Sequence, residues 1–399
     1  MAKPKIMTVY GTRPEAIKVA PVIKTLGLDD RFDSVSVSTG QHREMLDQVN
    51  QMFEITPDYD LGLMKKVSTL SGVVSMALSG LDEIIDKEKP DVIISQGDTS
   101  TAMSAALAGF HREVKIVHLE AGLRTGNISS PFPEEANRRI IGQVASLHLA
   151  PTETSLDNLR REDFDPRDIA VVGNTVIDAL LEAASWETTF TDERLNALAE
   201  TDQRLVLVTT HRRENLEAMA EIGAAVQELA ETYPEVIFAL PLHLNPRVRN
   251  SVLPKVDMLD NVIITAPLPY DQFTKLMTRS TLVLTDSGGV QEEAPSLGKP
   301  VLCMRENTER PEAVLAGTVK LVGTNRQRIV SETKLLLDDE VAYAAMAHAV
   351  NPYGDGQAAV RSIAAIAELL GIGKRLPDFE PEVPQEPGLD EPRLSEQLP

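Results

Sequence analysis

Short apolar runs recur along the chain, separated by longer stretches with helical spacing of apolar residues. The runs are four to seven residues long and rich in Val, Ile and Leu. They are apolar on both faces, which is typical of strands covered by helices on both sides. In the first half they are KIMTVYG, SVSVSTG, DVIISQGD, KIVHLEAG and SLHLAPT; in the second half they are DIAVVGN, LVLVTTH, VIFALPLH, NVIITAPL, TLVLTDS, PVLCMR and TVKLVG. Neighbouring runs are not joined by Asn-Gly or Asp-Gly hairpins, so the pattern predicts an α/β fold with parallel, doubly wound sheets.

The number of runs predicts two domains. Open sheets rarely exceed about ten strands, so two Rossmann-like sheets fit better than one. We place the boundary within VVGNTVID, which divides the chain into domains 1–172 and 173–355. Residues 356–372 have helical periodicity and reach a stop signal at Gly371. The last 24 residues contain six prolines and seven acids against one Arg, which predicts a disordered tail over 376–399.

Composition and charge narrow the class of partner. The chain has 399 residues and a formal net charge of −21. This charge argues against nucleic acid or an anionic membrane surface as partner, although a local Arg cluster could still bind a small anion. The single cysteine, Cys303, lies in the apolar run PVLCM, so we expect a buried thiol, without a disulfide or a cysteine metal site. The N-terminus lacks the apolar core of a signal peptide, and we expect a cytoplasmic protein without a membrane span.

Polar residues at the ends of the first-half runs are candidates for a ligand site, because ligands of open parallel sheets bind at the carboxyl ends of strands. Arg13 and Lys18 follow the first run in GTRPEAIK. They could bind one anion near a helix start, or form a solvated basic face. Asp98 and Glu120 follow two later runs, and Glu134 lies in PFPEEANRR. These carboxylates fit either helix caps or proton-transfer groups.

The second half supplies a candidate imidazole and a candidate phosphate site. His211 directly follows LVLVTT and could carry a proton, donate to a phosphate or simply pack. The glycine pair Gly288–Gly289 lies between an apolar run and a helical stretch, which predicts backbone amides that bind phosphate. Arg310 precedes Pro311, a helix-starting residue, and its guanidinium could bind a phosphate in a bidentate manner.

Several common motifs are missing from the sequence. Lys299 is followed by Pro300, so the Walker A pattern fails, and G-x-G-x-x-G and H-E-x-x-H do not occur. The D-x-D patterns at 58–60 and 163–165 lie in polar connections. We therefore expect neither a bound NAD nor a functional metal.

The polar motifs together resemble one family. They are GTRPEAIK, GQHREML, QGDT, HLEAGLRTG, PFPEEANR, TTHRREN, TDSGGVQEEAPSLGKPV and TERPEAV. In this order, from about residue 5 to residue 370, the chain is similar to the non-hydrolysing UDP-N-acetylglucosamine 2-epimerases of bacteria. The resemblance implies the glycosyltransferase B arrangement, in which two Rossmann-like domains face a cleft and the last helix crosses back to the first domain. It also implies a homodimer that needs no cofactor or metal.

The resemblance implies a reaction and a role for each candidate. UDP-N-acetylglucosamine would be converted reversibly to UDP-N-acetylmannosamine, by elimination of UDP to 2-acetamidoglucal and re-addition. The implied catalytic carboxylates are Asp98, Glu120 and Glu134, with His211 as a phosphate or proton partner. The implied substrate-binding residues are Arg13 and Lys18 for the sugar diphosphate, Ser287, Gly288, Gly289 and Arg310 for phosphate, Glu293 for the ribose hydroxyls and Phe273 for the uracil. Glu292 is expected to be a structural or interdomain carboxylate.

Other functions remain open at the level of sequence. Some members of this family have an allosteric site, for which Gln41, His42 and Arg43 are candidates. Glu44 and Val67 stand where those members have Gln and Arg, which leaves activation by substrate open. A hydrolysing epimerase that releases N-acetylmannosamine and UDP, a UDP-sugar-dependent glycosyltransferase and a non-enzymatic UDP-sugar sensor are the alternatives.

Overall fold

The computed structural model describes residues 3–40, 43–63, 69–199 and 201–381. Its strands are β1 Lys5–Tyr10, β2 Asp33–Ser38, β3 Tyr59–Asp60, β4 Val92–Gln96, β5 Lys115–Leu119, β6 Leu147–Ala150, β7 Ile169–Val171, β8 Leu205–Thr209, β9 Ile237–Pro241, β10 Val262–Thr265, β11 Leu282–Thr285, β12 Val301–Cys303 and β13 Val319–Leu321. Its helices are α1 Arg13–Leu28, α2 Arg43–Met52, α3 Leu70–Glu88, α4 Ser100–His111, α5 Glu134–Val144, α6 Glu153–Arg161, α7 Thr175–Ala184, α8 Glu193–Ala199, α9 Met219–Thr232, α10 Pro246–Val256, α11 Tyr270–Arg279, α12 Gly288–Ser296, α13 Pro311–Leu315, α14 Arg326–Asp338, α15 Glu340–Ala347 and α16 Ala358–Leu369.

The strands form two separate parallel sheets, which confirms the predicted fold class. The first sheet has the order β3-β2-β1-β4-β5-β6-β7, and the second has the order β10-β9-β8-β11-β12-β13. In each sheet the order reverses beside a central strand, between β1 and β4 and between β8 and β11. The connections on either side of such a reversal diverge and leave a crevice at the carboxyl ends of the strands. Of the predicted site residues, Arg13, Asp98, His211 and Ser287 closely follow these four strands, whereas Glu120 follows β5 and Arg310 precedes α13.

Two strands differ from the prediction. The run DIAVVGN was counted with the second half of the sequence, although the boundary after residue 172 leaves its apolar residues in the first domain; β7 pairs with β6 and forms the edge of the first sheet. An apolar run does not identify the sheet it joins, because both sheets need the same pattern. The strand β3 has only two residues, Tyr59 and Asp60, and pairs with β2. So short a strand leaves no periodicity in the sequence.

Helix α7 lies between the two domains. It packs against α1 and α16 on one side and against α11 and α12 on the other. Val176 and Leu180 of α7 belong to an apolar cluster that extends from the first sheet into the second. Helix α16 packs on α1 and β6 of the first domain. The two domains therefore share a continuous apolar contact beneath the cleft.

The first six residues of the predicted tail, 376–381, are held against the first domain. Phe379 is 5% exposed, and its N–H donates to the carbonyl of Val171 at 2.7 Å. The prediction rested on the acidic and proline-rich composition of this segment. In the structure, burial of the Phe379 side chain and pairing with the free edge of β7 are enough to hold it. Residues 382–399 lie outside the described part of the chain. Within the described ranges, no helix is both long and apolar enough to cross a membrane.

Candidate active site

The turn after β1 is built by a capping box. Thr12 is the N-cap of α1, and the Glu15 carboxylate accepts hydrogen bonds from the N–H groups of Gly11 at 2.9 Å and Thr12 at 2.7 Å. Glu15 also accepts a 2.5 Å hydrogen bond from the Thr99 hydroxyl, beside the turn that follows β4. This buried carboxylate caps the N-terminus of α1, so an anion here would be bound by the side chain of Arg13 rather than by the helix amides.

Glu120 lies at the end of β5 in a strained conformation. Its φ is 65°, a left-handed value that a residue with a side chain rarely adopts. The carboxylate is ion-paired with Lys18, and the Gln96 amide donates to it at 2.6 Å. Burial is the largest single influence and acts to raise the pKa of Glu120, but the charge and hydrogen bond of Lys18 together with the charges of Arg310 and Arg138 outweigh it and lower the pKa. Glu120 is therefore an ionised carboxylate at neutral pH.

The Asp98 carboxylate is held by α5. The Nε atom of Arg138 donates to Oδ2 of Asp98 at 2.9 Å, and the Nη2 atom of Arg138 lies 2.6 Å from the same oxygen. The Asn137 amide donates to the backbone carbonyl of Asp98 at 2.8 Å. Glu134 begins α5, one turn before Arg138, so the two lie on one face of the helix. Gly97, the residue before Asp98, is close to Glu120, because a Cβ placed on Gly97 would lie 3.5 Å from the Glu120 carboxylate.

The start of α12 provides the candidate phosphate site. Ser287 is the N-cap and Gly288 the first helical residue. The Ser287 N–H donates to the Thr285 hydroxyl at 3.0 Å, so in this structure it is already occupied. Gly289 is exposed, and a Cβ placed on it would meet no protein atom within 4 Å. The first N–H groups of a helix have no partner within the helix, so the amides of Gly288 and Gly289 can bind an anion.

The two glutamates of α12 have different roles. Glu292 is ion-paired with Arg310, and its other oxygen lies 3.4 Å from the Asn174 amide in the connection between domains. This contact agrees with the structural, interdomain role expected for Glu292. Burial raises the pKa of Glu293 to about 8, and the charge of Glu292 adds to the rise, while Lys18 and Arg13 act against it. Glu293 is therefore mostly protonated at neutral pH.

His211 lies at the mouth of the second sheet, directly after the turn that follows β8. Its Nδ1 is 3.3 Å from the carboxylate of Asp286, which is fully buried. The His243 ring stacks on His211 with centroids 6.0 Å apart. The His211 side chain remains 43% exposed toward the cleft. The sequence shows Asp286 only as the residue before Ser287, and its contact with His211 spans 75 positions.

One cavity of about 570 Å³ brings most of these groups together. The predicted residues that line it are Arg13, Lys18, His211, Phe273, Ser287, Gly289, Glu293 and Arg310. The other predicted residues, Asp98, Glu120, Glu134 and Gly288, are not among its lining residues; Glu120 adjoins the cavity through its ion pair with Lys18. Residues from both domains line the cavity, as expected for a ligand that bridges the cleft.

Positively charged side chains line this cavity although the protein as a whole is negative. Although the chain carries a net charge of −21, Arg13, Lys18 and Arg310 converge on the cavity from opposite domains. Burial by itself would lower the pKa of Arg310, but Glu292 and Glu120 raise it, so the guanidinium remains charged. A cleft with fixed cations and the start of a helix favours an anion with several oxygens, such as a diphosphate.

Some predicted residues cannot be placed. Gln41, His42 and Val67 lie outside the described residues, and of Arg43 only its position at the start of α2 is described. Among residues 3–40, 43–63, 69–199 and 201–381, no group of three or more His, Cys, Asp or Glu side chains is placed to hold a metal ion.

Sequence reasoning missed several site residues. Gln96, Asp286 and Glu15 do not stand out, although each is a polar residue at or just after the end of an apolar run. That position was the available signal. Tyr270, which lines the cavity from the first turn of α11, comes two residues after the run NVIITAPL, but an aromatic residue there did not stand out as a polar candidate.

Two doubly wound domains that face a cleft at their switch points have the glycosyltransferase B arrangement. The family model described as UDP-N-acetylglucosamine 2-epimerase matches residues 24–367. The chain belongs to this UDP-N-acetylglucosamine 2-epimerase family.

Individual relatives agree with this assignment. The UDP-N-acetylglucosamine 2-epimerase of Yersinia pestis is 50% identical over 368 residues, which is 91% of this chain and 98% of that protein. A Listeria monocytogenes protein of known structure is 44% identical, with a TM-score of 0.90 over 95% of this chain and 100% of that one. The Neisseria meningitidis UDP-GlcNAc 2-epimerase, solved bound to UDP-GlcNAc, is 44% identical, with a TM-score of 0.81 over 92% of this chain and 100% of that one.

Proposed function

We propose that this protein interconverts UDP-N-acetylglucosamine and UDP-N-acetylmannosamine without net hydrolysis. The observation that carries the proposal is the ionised Glu120, which is ion-paired with Lys18, a residue that lines the same cavity as Arg310 and the start of α12. A proton acceptor and a diphosphate site thus lie within reach of one ligand. The Neisseria relative bound to UDP-GlcNAc supports this choice of substrate.

The first chemical step separates UDP from the sugar. C2–H is not adjacent to a carbonyl, so a base removes its proton readily only after C1 has gained positive character. The C1–O bond breaks, and UDP leaves with the electron pair. The amides of Gly288 and Gly289 and the guanidinium of Arg310 stabilise the charge that develops on the diphosphate. Arg13 and Lys18 supply further positive charge from the first domain.

The second step moves the C2 proton. A carboxylate accepts it, and the pair of electrons from the C2–H bond forms the C1–C2 double bond of 2-acetamidoglucal. Glu120 is the candidate acceptor, since it is ionised and buried. Asp98, Glu134 and His211 are the further candidates for returning a proton to the opposite face. A closed cleft keeps UDP beside the glycal, so its re-addition to C1 is effectively unimolecular.

The second domain would bind the nucleotide. Phe273 lines the cavity and offers an apolar face to the uracil. Glu293 lies about one helical turn after the amides that would bind phosphate, at a distance that suits the ribose. A protonated carboxyl both donates and accepts, so it can pair with the ribose hydroxyls without placing a second negative charge beside the diphosphate.

Turnover in D₂O followed by proton NMR tests the proposal. We expect deuterium at C2 of both UDP-linked sugars, and loss of this exchange in Glu120→Gln. The matched control is Glu306→Gln, which removes one exposed carboxylate elsewhere in the second domain. Persistent C2–H with unchanged UDP-GlcNAc would refute epimerisation. Accumulation of free UDP and N-acetylmannosamine would indicate the hydrolysing reaction instead.

We also propose that the protein acts as a homodimer. Sedimentation equilibrium of the full chain would test this, and a monomer mass at the concentration used for turnover would contradict it.

A further inference from the structure

Asp286 joins the loop that carries His211 to the turn that precedes α12. Its carboxylate accepts hydrogen bonds from the N–H groups of His211 and Arg212, both at 3.0 Å, and from the Thr210 hydroxyl at 2.9 Å. The amide of Asn215 donates a further bond at 3.1 Å. The next residue in the chain, Ser287, is the N-cap of α12 and so begins the candidate phosphate site. One buried side chain therefore sets the position of the imidazole relative to the candidate phosphate site.

The same carboxylate also contacts the imidazole ring. The Nδ1 atom of His211 is 3.3 Å from Asp286, and the His243 ring stacks on the His211 ring. Burial acts to raise the pKa of Asp286, but hydrogen bonds from His211 and from the Arg212 N–H hold it below its usual value. An ionised carboxylate only accepts hydrogen bonds, so the Nδ1 atom facing it must carry a proton.

We propose that Asp286 is a positioning residue that holds His211 as the Nδ1–H tautomer, with Nε2 as the nitrogen available to the ligand. A neutral imidazole with a free Nε2 accepts a proton or a hydrogen bond, whereas the opposite tautomer would present an N–H. The tautomer follows from the contact between Nδ1 and the Asp286 carboxylate. Only its effect on turnover rests on the proposed function of His211.

Nitrogen-15 NMR of the full-length protein tests the tautomer directly. We expect His211 to show a protonated Nδ1 and an unprotonated Nε2 near neutral pH, and Asp286→Asn to lose this preference. Asn215→Ala is the control, since it removes one hydrogen bond to Asp286 but leaves the imidazole contact. An Nε2–H tautomer, or an equal mixture, in the folded wild-type protein would overturn the proposal even if the Asp286 variant did not fold.

Turnover of single and double variants tests the consequence. We expect Asp286→Asn to lower kcat on the order of 10²-fold. In a His211→Asn background the same change should add less than about threefold, because residues that act through one another are not additive. Full additivity would overturn the positioning role. If His211→Asn leaves kcat unchanged while NMR finds the expected tautomer, the proposed function of His211 fails and the positioning contact stands.

A separate observation concerns the segment 375–381, which follows the part of the chain matched by the family model. The N–H of Phe379 donates to the carbonyl of Val171 at 2.7 Å, and the N–H of Val171 donates to the Asp378 carboxylate at 3.2 Å. The segment thus occupies backbone groups of β7, the edge strand of the first sheet. Unpaired edge groups of this kind are otherwise open to other strands.

The Phe379 side chain links this segment to both connections between the domains. It packs in an apolar cluster with Ala121, the residue after Glu120. The Arg361 guanidinium lies over its ring at 5.4 Å from the centroid. The same guanidinium makes two 2.7 Å bonds to Asp355 and reaches the carbonyl of Val172 at 3.5 Å. Asp355 and Val172 belong to the two interdomain connections.

We infer that residues 375–381 act as a hinge clamp that restrains the two interdomain connections. These connections are also bonded to each other, since the Asn174 N–H donates to the Tyr353 carbonyl at 2.7 Å. Releasing Phe379 would free one face of Arg361 and expose the edge of β7. The hinge would then sample a wider range of separations between the domains.

Hydrogen exchange of two shortened chains tests the clamp. A chain ending at Pro381 should match the full chain, whereas a chain ending at Arg375 should exchange faster over 169–174 and 351–357, on the order of 10-fold or more. Phe379→Ala should reproduce the shorter truncation, and Leu376→Ala is the control because Leu376 is exposed in the same segment. Unchanged protection of both connections in the Phe379 variant would overturn the inference.

Discussion

The proton on Glu293 provides a direct test of the electrostatics of the cleft. The residue is 8% exposed, and burial together with Glu292 raises its pKa from 4.5 to about 8. Between these two values the folded protein holds a proton that the unfolded chain has released. The free energy of unfolding therefore falls as the pH rises through this window, and the loss is complete above the folded-state pKa.

The size of the effect follows from the width of the window. Each unit of pKa difference corresponds to about 1.4 kcal/mol, so wild-type protein should lose about 4 kcal/mol between about pH 5 and about pH 8.5 through this group. Glu293→Gln removes the titrating carboxyl and with it this dependence. The variant should therefore gain stability relative to wild type as the pH rises. For a domain of this size the difference in Tm should widen by at least about 5 °C.

Thermal unfolding of the ligand-free proteins at these two pH values measures the change. Ionic strength is held constant, because Lys18 and Arg13 also interact with Glu293. Glu306→Gln controls for the loss of one negative charge, since that glutamate is exposed. A Tm difference that is the same at both pH values, or a Glu293 variant that is less stable than wild type at the higher pH, would refute the reasoning.

Three further predictions follow from single contacts. Lys18→Met removes the charge that lowers the pKa of Glu120, so the acidic limb of the kcat–pH profile should move to higher pH, and an unchanged profile would contradict this pairing. Gly122→Ala should lower the free energy of unfolding by about 2 kcal/mol or more, measured by urea unfolding. The reason is that φ at Gly122 is 91° and the new Cβ would lie 2.3 Å from the Ser155 carbonyl oxygen. An unchanged urea midpoint would count against this clash. Cys303 is fully buried and its pKa is raised to about 12 by burial, so a thiol reagent should label it at least about 100-fold faster in denaturant than in the folded protein.

The sequence allowed the parallel sheets and the main site residues to be predicted, because these depend on local pattern. An apolar run of β-branched residues predicts a buried strand wherever it lies. A polar residue directly after the run then lies at the carboxyl end of that strand, where ligands of parallel sheets bind. The Thr12–Glu15 capping box is equally local, since its partners are three residues apart. The turns at Asp98, Glu120 and His211 were found in this way.

Pairings between distant segments could not be predicted in the same way. The edge position of β7 depends on its pairing with β6 across the sheet, and the burial of Phe379 depends on a strand edge more than 200 residues earlier, with Val171 and Asp378 separated by 207 positions. Asp286 was overlooked because its partners lie about 75 positions away.

The chemical state of each carboxylate was decided only by the tertiary structure. By sequence alone, Glu120 and Glu293 are both glutamates that follow an apolar run at a short distance. In the fold, Lys18 approaches Glu120 from 102 positions away and keeps it ionised, whereas Glu293 is buried beside Glu292 and holds its proton to about pH 8. The sequence determines which groups can titrate, because that depends on residue type. Their charge depends on burial and on the nearest opposite charge, which exist only once distant segments have packed together.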